Sequence, residues 1–107
     1  MNLPKIISEL VKAQNNFDSI AYANCFSDNA VVVDEGKTHN GRIEIEHWIS
    51  DATEKYKTVM KPTGFVDKGI AKILTAEISG TFSGSPALLK YHLKINNGLI
   101  QSLKILG

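Results

Sequence analysis

Asp34 is the residue in this chain best placed to do chemistry. It ends the run Ala30-Val-Val-Val-Asp34, so a carboxylate closes a β-branched, buried type of strand. Such a carboxylate either meets a ligand in a recess, where lost hydration raises its proton affinity, or begins a solvated turn with Glu35-Gly36. Strand alternation places Asp34 on the face of Val32 and opposite to Val31 and Val33. His39 follows five residues later across a turn, close enough for an acid–base pair with Asp34, although a loop histidine of this kind is commonly solvated. Tyr91 shares the Leu89, Leu93 and Ile95 side of its strand, which points its phenol inward, while Lys90, His92 and Lys94 take the outer side. His39, His47 and His92 lie far apart with no HxH or HExxH spacing, so no metal site is expected. Cys25 has no basic neighbour and reads as a buried, inert thiol.

These side chains need elements to hold them. Leu3, Ile6, Ile7, Leu10, Val11 and Gln14 recur at helical spacing and predict a first helix over 3–15. Asp18 reads as the N-cap of a second helix reaching Phe26, with Phe17 and Tyr22 as its hydrophobic staple. Ser27-Asp28-Asn29 then predicts a turn into the strand 30–34, and 37–40 a short strand. From Gly41, the residues Ile45, Trp48, Ile49, Ala52 and Tyr56 predict a one-faced helix, with Arg42 and Glu46 pairing on its outer side.

After Tyr56 the pattern becomes β. Residues 58–67 read as an edge or bulged strand because Pro62 and Gly64 interrupt them. A long strand over 70–82 follows, then one over 87–95, and Asn97-Gly98 is a strong two-residue hairpin signal into 99–106. Glu77 is expected to pair across strands with Lys90, Lys94 or Lys104. Helices first and a meander of strands afterwards predict an α+β domain with helices on one face of a mostly antiparallel sheet.

The 107 residues, 43% of them hydrophobic and 21% charged, suit one small folded domain covering 1–107. A net charge of +1 offers no bulk attraction to nucleic acid or to an anionic membrane. No stretch approaches the roughly 20 apolar residues of a membrane span. The start lacks the apolar run and cleavage site of a secretory signal, and one cysteine makes no internal disulfide; a cytoplasmic location is expected.

The order of elements, together with Asp18, Phe26-Ser-Asp-Asn-Ala30, the strand ending in Asp34, Gly41-Arg42 with Ile45 and Trp48, Ile78-Ser-Gly-Thr-Phe-Ser-Gly-Ser-Pro86 and Asn97-Gly98, resembles the nuclear transport factor 2-like superfamily. The likeness is greatest to its SnoaL-like and ketosteroid isomerase-like proteins. It implies a curved, cystatin-like sheet wrapped into a cone and closed by three N-terminal helices around a pocket. It also implies a homodimer formed through the sheet.

The resemblance sets Asp34 at the position of the catalytic base of ketosteroid isomerases. Those enzymes build their oxyanion hole from a tyrosine and a protonated aspartic acid. The tyrosine falls on Leu10, which has no hydrogen to donate. The aspartic acid falls on Tyr91, or on His92 if the hairpin is aligned without a gap. Asp34, Tyr91 and His39 are therefore the implied catalytic set, the last by analogy with dehydratases of this fold. Trp48, Leu10, Tyr22, Tyr56 and Phe65 are the implied ligand-binding residues, each of which also reads as an ordinary core side chain. The ligand implied is a small apolar molecule bearing a ring or carbonyl. Any reaction is a cofactor-independent isomerisation, cyclisation or dehydration, and a non-catalytic binding or dimerisation module of the same fold stays open beside it.

Overall fold

A computed structural model describes residues 1–107. Three helices precede or interrupt a six-stranded sheet: α1 (Lys5–Asn15), α2 (Ser19–Asn24), β1 (Phe26–Asp34), β2 (Lys37–Asn40), α3 (Gly41–Tyr56), β3 (Val59–Lys68), β4 (Ala71–Ser79), β5 (Ala87–Asn96) and β6 (Leu99–Leu106). The strand order is β2-β1-β6-β5-β4-β3, and every neighbouring pair is antiparallel except β1 with β6. No helix is long and apolar enough to cross a membrane.

Local chemistry accounts for most of the boundaries. The Asp18 side chain caps α2 by accepting from the Ala21 N–H at 3.0 Å. The Glu44 carboxylate reaches back to the Asn40 N–H at 2.8 Å and tethers the start of α3. Two of the three two-residue hairpin turns place both central residues at positive φ, Glu35-Gly36 between β1 and β2 and Asn97-Gly98 between β5 and β6, while Gly69-Ile70 between β3 and β4 does so only at its glycine. β3 lies at the sheet edge with a register shift between Pro62 and Gly64, which lets proline sit where it owes no ladder hydrogen bond. Side-chain bonds fasten this edge to α1. Asn15 accepts from Met60 N–H at 2.7 Å and donates to Met60 O at 3.0 Å, while Gln14 Nε2 donates to Thr58 Oγ1 at 2.7 Å.

The core lies between the concave sheet face and the helices. Ile7, Leu10, Tyr22, Phe26, Val32, Ile45, Leu74, Leu93, Ile100 and Leu103 are its most enclosed large side chains. On the opposite face, Val31, Val33, Ile73, His92, Lys94 and Lys104 line a groove of about 500 Å³.

Five local expectations are corrected. Ser27-Asp28-Asn29 is not a turn: β1 begins at Phe26, and α2 stops at Asn24. The turn-forming residues instead occupy a bulge, because pairing with β6 slips between Phe26 and Val31. Arg42 does not pair with Glu46. Its guanidinium braces that bulge, donating to Phe26 O at 3.1 and 2.6 Å and meeting Asp28 at 2.9 Å. Phe17 is 48% exposed at φ 55°, so the staple does not form, and Tyr22 is wholly buried elsewhere. Glu77 lies opposite Lys61 and Leu88 and closes no ion pair; Lys90 faces Thr75 and Leu106.

The fifth correction is the strand expected over 70–82, which ends at Ser79. Beyond it the chain leaves the sheet, and Thr81 N–H bonds to Tyr56 O at 2.8 Å. Gly80 makes this passage feasible: a Cβ there would come within 2.5 Å of the same Tyr56 carbonyl. The carbonyl is held by its hydrogen bond and has little freedom to retreat. Gly80→Ala is therefore expected to cost about 1–3 kcal/mol, read as a lower urea midpoint at unchanged slope.

Candidate functional site

Between the concave sheet face and α3 lies a cavity of about 440 Å³, within the usual range for small-molecule sites. Its apolar wall comes from Ile49 and Ala52 of α3, Ile78, Leu89 and Ile105 of the sheet, and Ala87 at the start of β5. Five aromatic side chains complete it: Tyr22, Trp48, Tyr56, Phe82 and Tyr91. Its polar lining is Asp34 with the adjacent Glu35, Gln14 bonded to Thr58, and Ser83.

The sequence positions these groups for identifiable reasons. The valine run pairs Val31, Val32 and Val33 with both β2 and β6, and that pairing carries Asp34 to the last rung beside Lys37. Tyr91 pairs with Leu74 and Ile105 and is 4% exposed, so it faces inward, and His92 lies in the groove on the opposite face. Tyr22 packs its ring 5.7 Å from that of Phe26 and 6.1 Å from that of Trp48. Tyr56 and Phe82 meet edge to face at 6.1 Å, a contact that the departure of the chain at Gly80 makes possible.

The electrostatics separate these groups from ordinary surface polar residues. Burial raises the Asp34 carboxyl above its ordinary value, and the negative charge of Glu35 raises it further. The Trp48 side chain, His39 and the Glu35 backbone N–H pull in the opposite direction without cancelling the rise. Burial, then the charge of Asp34, pushes the Tyr91 phenol upward, so it stays protonated as a donor. Tyr22 is raised by burial first and then by Tyr91, Cys25 and Asp34. Its hydroxyl is buried without any hydrogen-bond partner in the protein. Burial and then Glu9 push the Cys25 thiol up to about 11, in keeping with an inert buried thiol.

Of the residues singled out in the sequence, Asp34, Tyr91, Trp48, Tyr22 and Tyr56 come together on this cavity. His39 does not line it. It stacks on Trp48 with ring centroids 5.5 Å apart and lines an adjoining outer groove that shares Asp34, Glu35, Trp48, Ala52 and Tyr56 with the cavity. Leu10 is fully buried in the core and Phe65 packs against the core from β3 opposite Leu74; neither contributes to the cavity wall. Sequence reasoning missed Gln14, Glu35, Thr58 and Ser83. Gln14 carried a signal, being a polar side chain on an otherwise apolar helical stripe. Glu35 carried another, since a two-residue turn after Asp34 keeps it beside the carboxylate.

Comparison with known proteins places the architecture. No protein-family model and no functionally curated protein matches the chain. Among solved structures, a presumed polyketide cyclase from Sinorhizobium meliloti is 34% identical, with a TM-score of 0.93 over 97% of this chain and 95% of that one. A protein from Catenulispora acidiphila with a ketosteroid isomerase-like fold, solved in complex with trimethylamine, is 19% identical; its TM-score is 0.89 over 99% and 87% of the two chains. A nuclear transport factor 2-like protein of unknown function from Cytophaga hutchinsonii is 16% identical, with a TM-score of 0.80 over 94% and 85%. The 34% identity and nearly complete overlap with the first, on the curved-sheet-and-helix fold, mean that this chain belongs to the nuclear transport factor 2-like superfamily, among its SnoaL-like proteins.

Proposed function

We propose that the cavity binds a small apolar molecule carrying a carbonyl and moves a proton on it without a cofactor, with Asp34 as general base. The observation that carries this reading is a half-buried carboxylate of raised proton affinity sharing one cavity with two buried phenols. Asp34 takes a proton from a carbon next to the carbonyl. The C–H electron pair becomes a carbon–carbon double bond, the carbonyl π pair moves onto oxygen, and the Tyr91 hydroxyl donates a hydrogen bond to the oxyanion as it forms. The Asp34 acid then returns the proton to carbon, leaving the protein unchanged. Isomerisation and aldol-type cyclisation both begin with this step. His39 acts through Trp48 and its charge on Asp34 rather than by touching the ligand.

The test is solvent-deuterium uptake next to the carbonyl of a panel of cyclic ketones, followed by proton NMR. Wild-type protein is expected to exceed the background rate of an equal concentration of acetate. Ala52→Phe, which fills the cavity from α3, is expected to return the rate to background with an unchanged far-UV circular dichroism spectrum. No uptake with wild type would leave the second reading, a non-catalytic binding module. That reading is favoured by Leu10, because the position of the isomerase donor tyrosine is here an apolar residue locked in the core.

A further inference from the structure

The polar groups of the cavity are ordered by depth. Tyr22 is fully buried, its hydroxyl without a protein partner, and Tyr91 is 4% exposed. Asp34 is half-buried, and Glu35 is exposed at the rim. No lysine or arginine lines the cavity, so Asp34 and Glu35 are its only charges. Neither closes an ion pair. The adjoining groove adds Lys37, His39, Asp51 and Lys55, but Lys55 Nζ sits over the Tyr56 ring, 5.1 Å from its centroid. The cavity itself thus carries only negative charge, while the positive groups stand in the adjoining groove, where none closes an ion pair with either carboxylate.

Glu35 also occupies a position that suits it poorly. The first residue of a two-residue hairpin turn with positive φ at both positions favours asparagine, aspartate or glycine. The chain meets that preference at its other such turn, Asn97-Gly98, with φ of 53° and 75°. At Glu35-Gly36 the same geometry, 52° and 74°, carries a glutamate, and this is the turn that overlooks the cavity.

We infer that the cavity selects a ligand with an apolar body, a hydrogen-bond acceptor at its deep end for Tyr22, and a positively charged amine at its rim, and that Glu35 reads this charge. The inference rests on the cavity being a ligand site, as proposed above, and names the class of ligand. A carboxylate-bearing ligand is excluded by the same two charges. Placing the amine on Glu35 leaves the deeper Asp34 free to take a proton.

Three probes of one shape and different charge test it by isothermal titration: 5-methoxytryptamine, 5-methoxytryptophol and 5-methoxyindole-3-acetate. Wild type is expected to bind the amine about tenfold more tightly than the alcohol, and the acid most weakly. Glu35→Gln is expected to abolish the preference for the amine and leave affinity for the alcohol unchanged. Glu35→Asn is expected to do the same while raising the melting midpoint, since it restores the favoured turn residue. Equal binding of amine and alcohol to wild type, or a preference that survives Glu35→Gln, overturns the inference but leaves the cavity as a ligand site. Binding of none of the three probes overturns both.

Discussion

Asp34→Asn is expected to slow proton exchange on a ketone substrate by about 10²- to 10⁴-fold, the usual contribution of a positioned general base. Asparagine keeps the shape of the side chain and accepts no proton, so the loss isolates the base from the cavity. The exchange rate of wild type should rise with pH through the elevated pKa of Asp34 and then level off, because only the carboxylate is competent. Glu35→Gln should move that rise to lower pH, since the charge of Glu35 is the second cause of the elevation.

The same substitution at Asp34 has a signed consequence for stability. The folded state holds the Asp34 proton more tightly than the unfolded chain, so between the two pKa values it binds more protons. Stability therefore falls as pH rises from below the unfolded carboxyl value through the folded one. Asp34→Asn removes that loss and is expected to raise the melting midpoint at neutral pH, with no gain below the unfolded carboxyl value of about 4. Loss of exchange with gain of stability distinguishes a functional carboxylate from a structural one. A variant that lost both would mark Asp34 as a residue that holds the hairpin together.

How much of this was legible in the sequence follows from the range of the interactions involved. Asp18, Asn97-Gly98 and the stripe from Ile45 to Tyr56 act within a few residues of themselves, and each formed the element expected of it. The parallel pairing of β1 with β6 joins residues some seventy positions apart, and nothing local encodes it. That pairing imposes the bulge after Phe26, which in turn takes Arg42 away from Glu46. Gly80 is a similar case, because its need for a bare α-carbon arises from a carbonyl at the end of α3. The site was legible where alternation alone decides direction, as at Asp34 and Tyr91. It was not legible at Leu10 and Phe65, whose apolar side chains suit a core as well as a pocket, nor in the depth of Tyr22, which depends on where α2 meets Trp48.

Tyr22 supplies the second large effect, and its two halves have opposite signs. A buried hydroxyl with no partner costs its full desolvation, about 1–3 kcal/mol, and a phenylalanine side chain would present the same ring without that cost. Tyr22→Phe is accordingly expected to stabilise the free protein by about that amount, with a melting midpoint higher by about 4 °C per kcal/mol. If Tyr22 donates to the developing oxyanion beside Tyr91, the same variant should slow exchange by about 10²- to 10³-fold, the usual loss for one oxyanion donor. Tyr91→Phe provides the contrast. Its hydroxyl also makes no protein hydrogen bond but is not sealed from water, so it should lose rate by a comparable factor without a comparable gain in stability. The two tyrosines thus separate on one plot of exchange rate against melting midpoint. A destabilised Tyr22→Phe would mean that the hydroxyl is already satisfied in the free protein and is not held in reserve for a ligand.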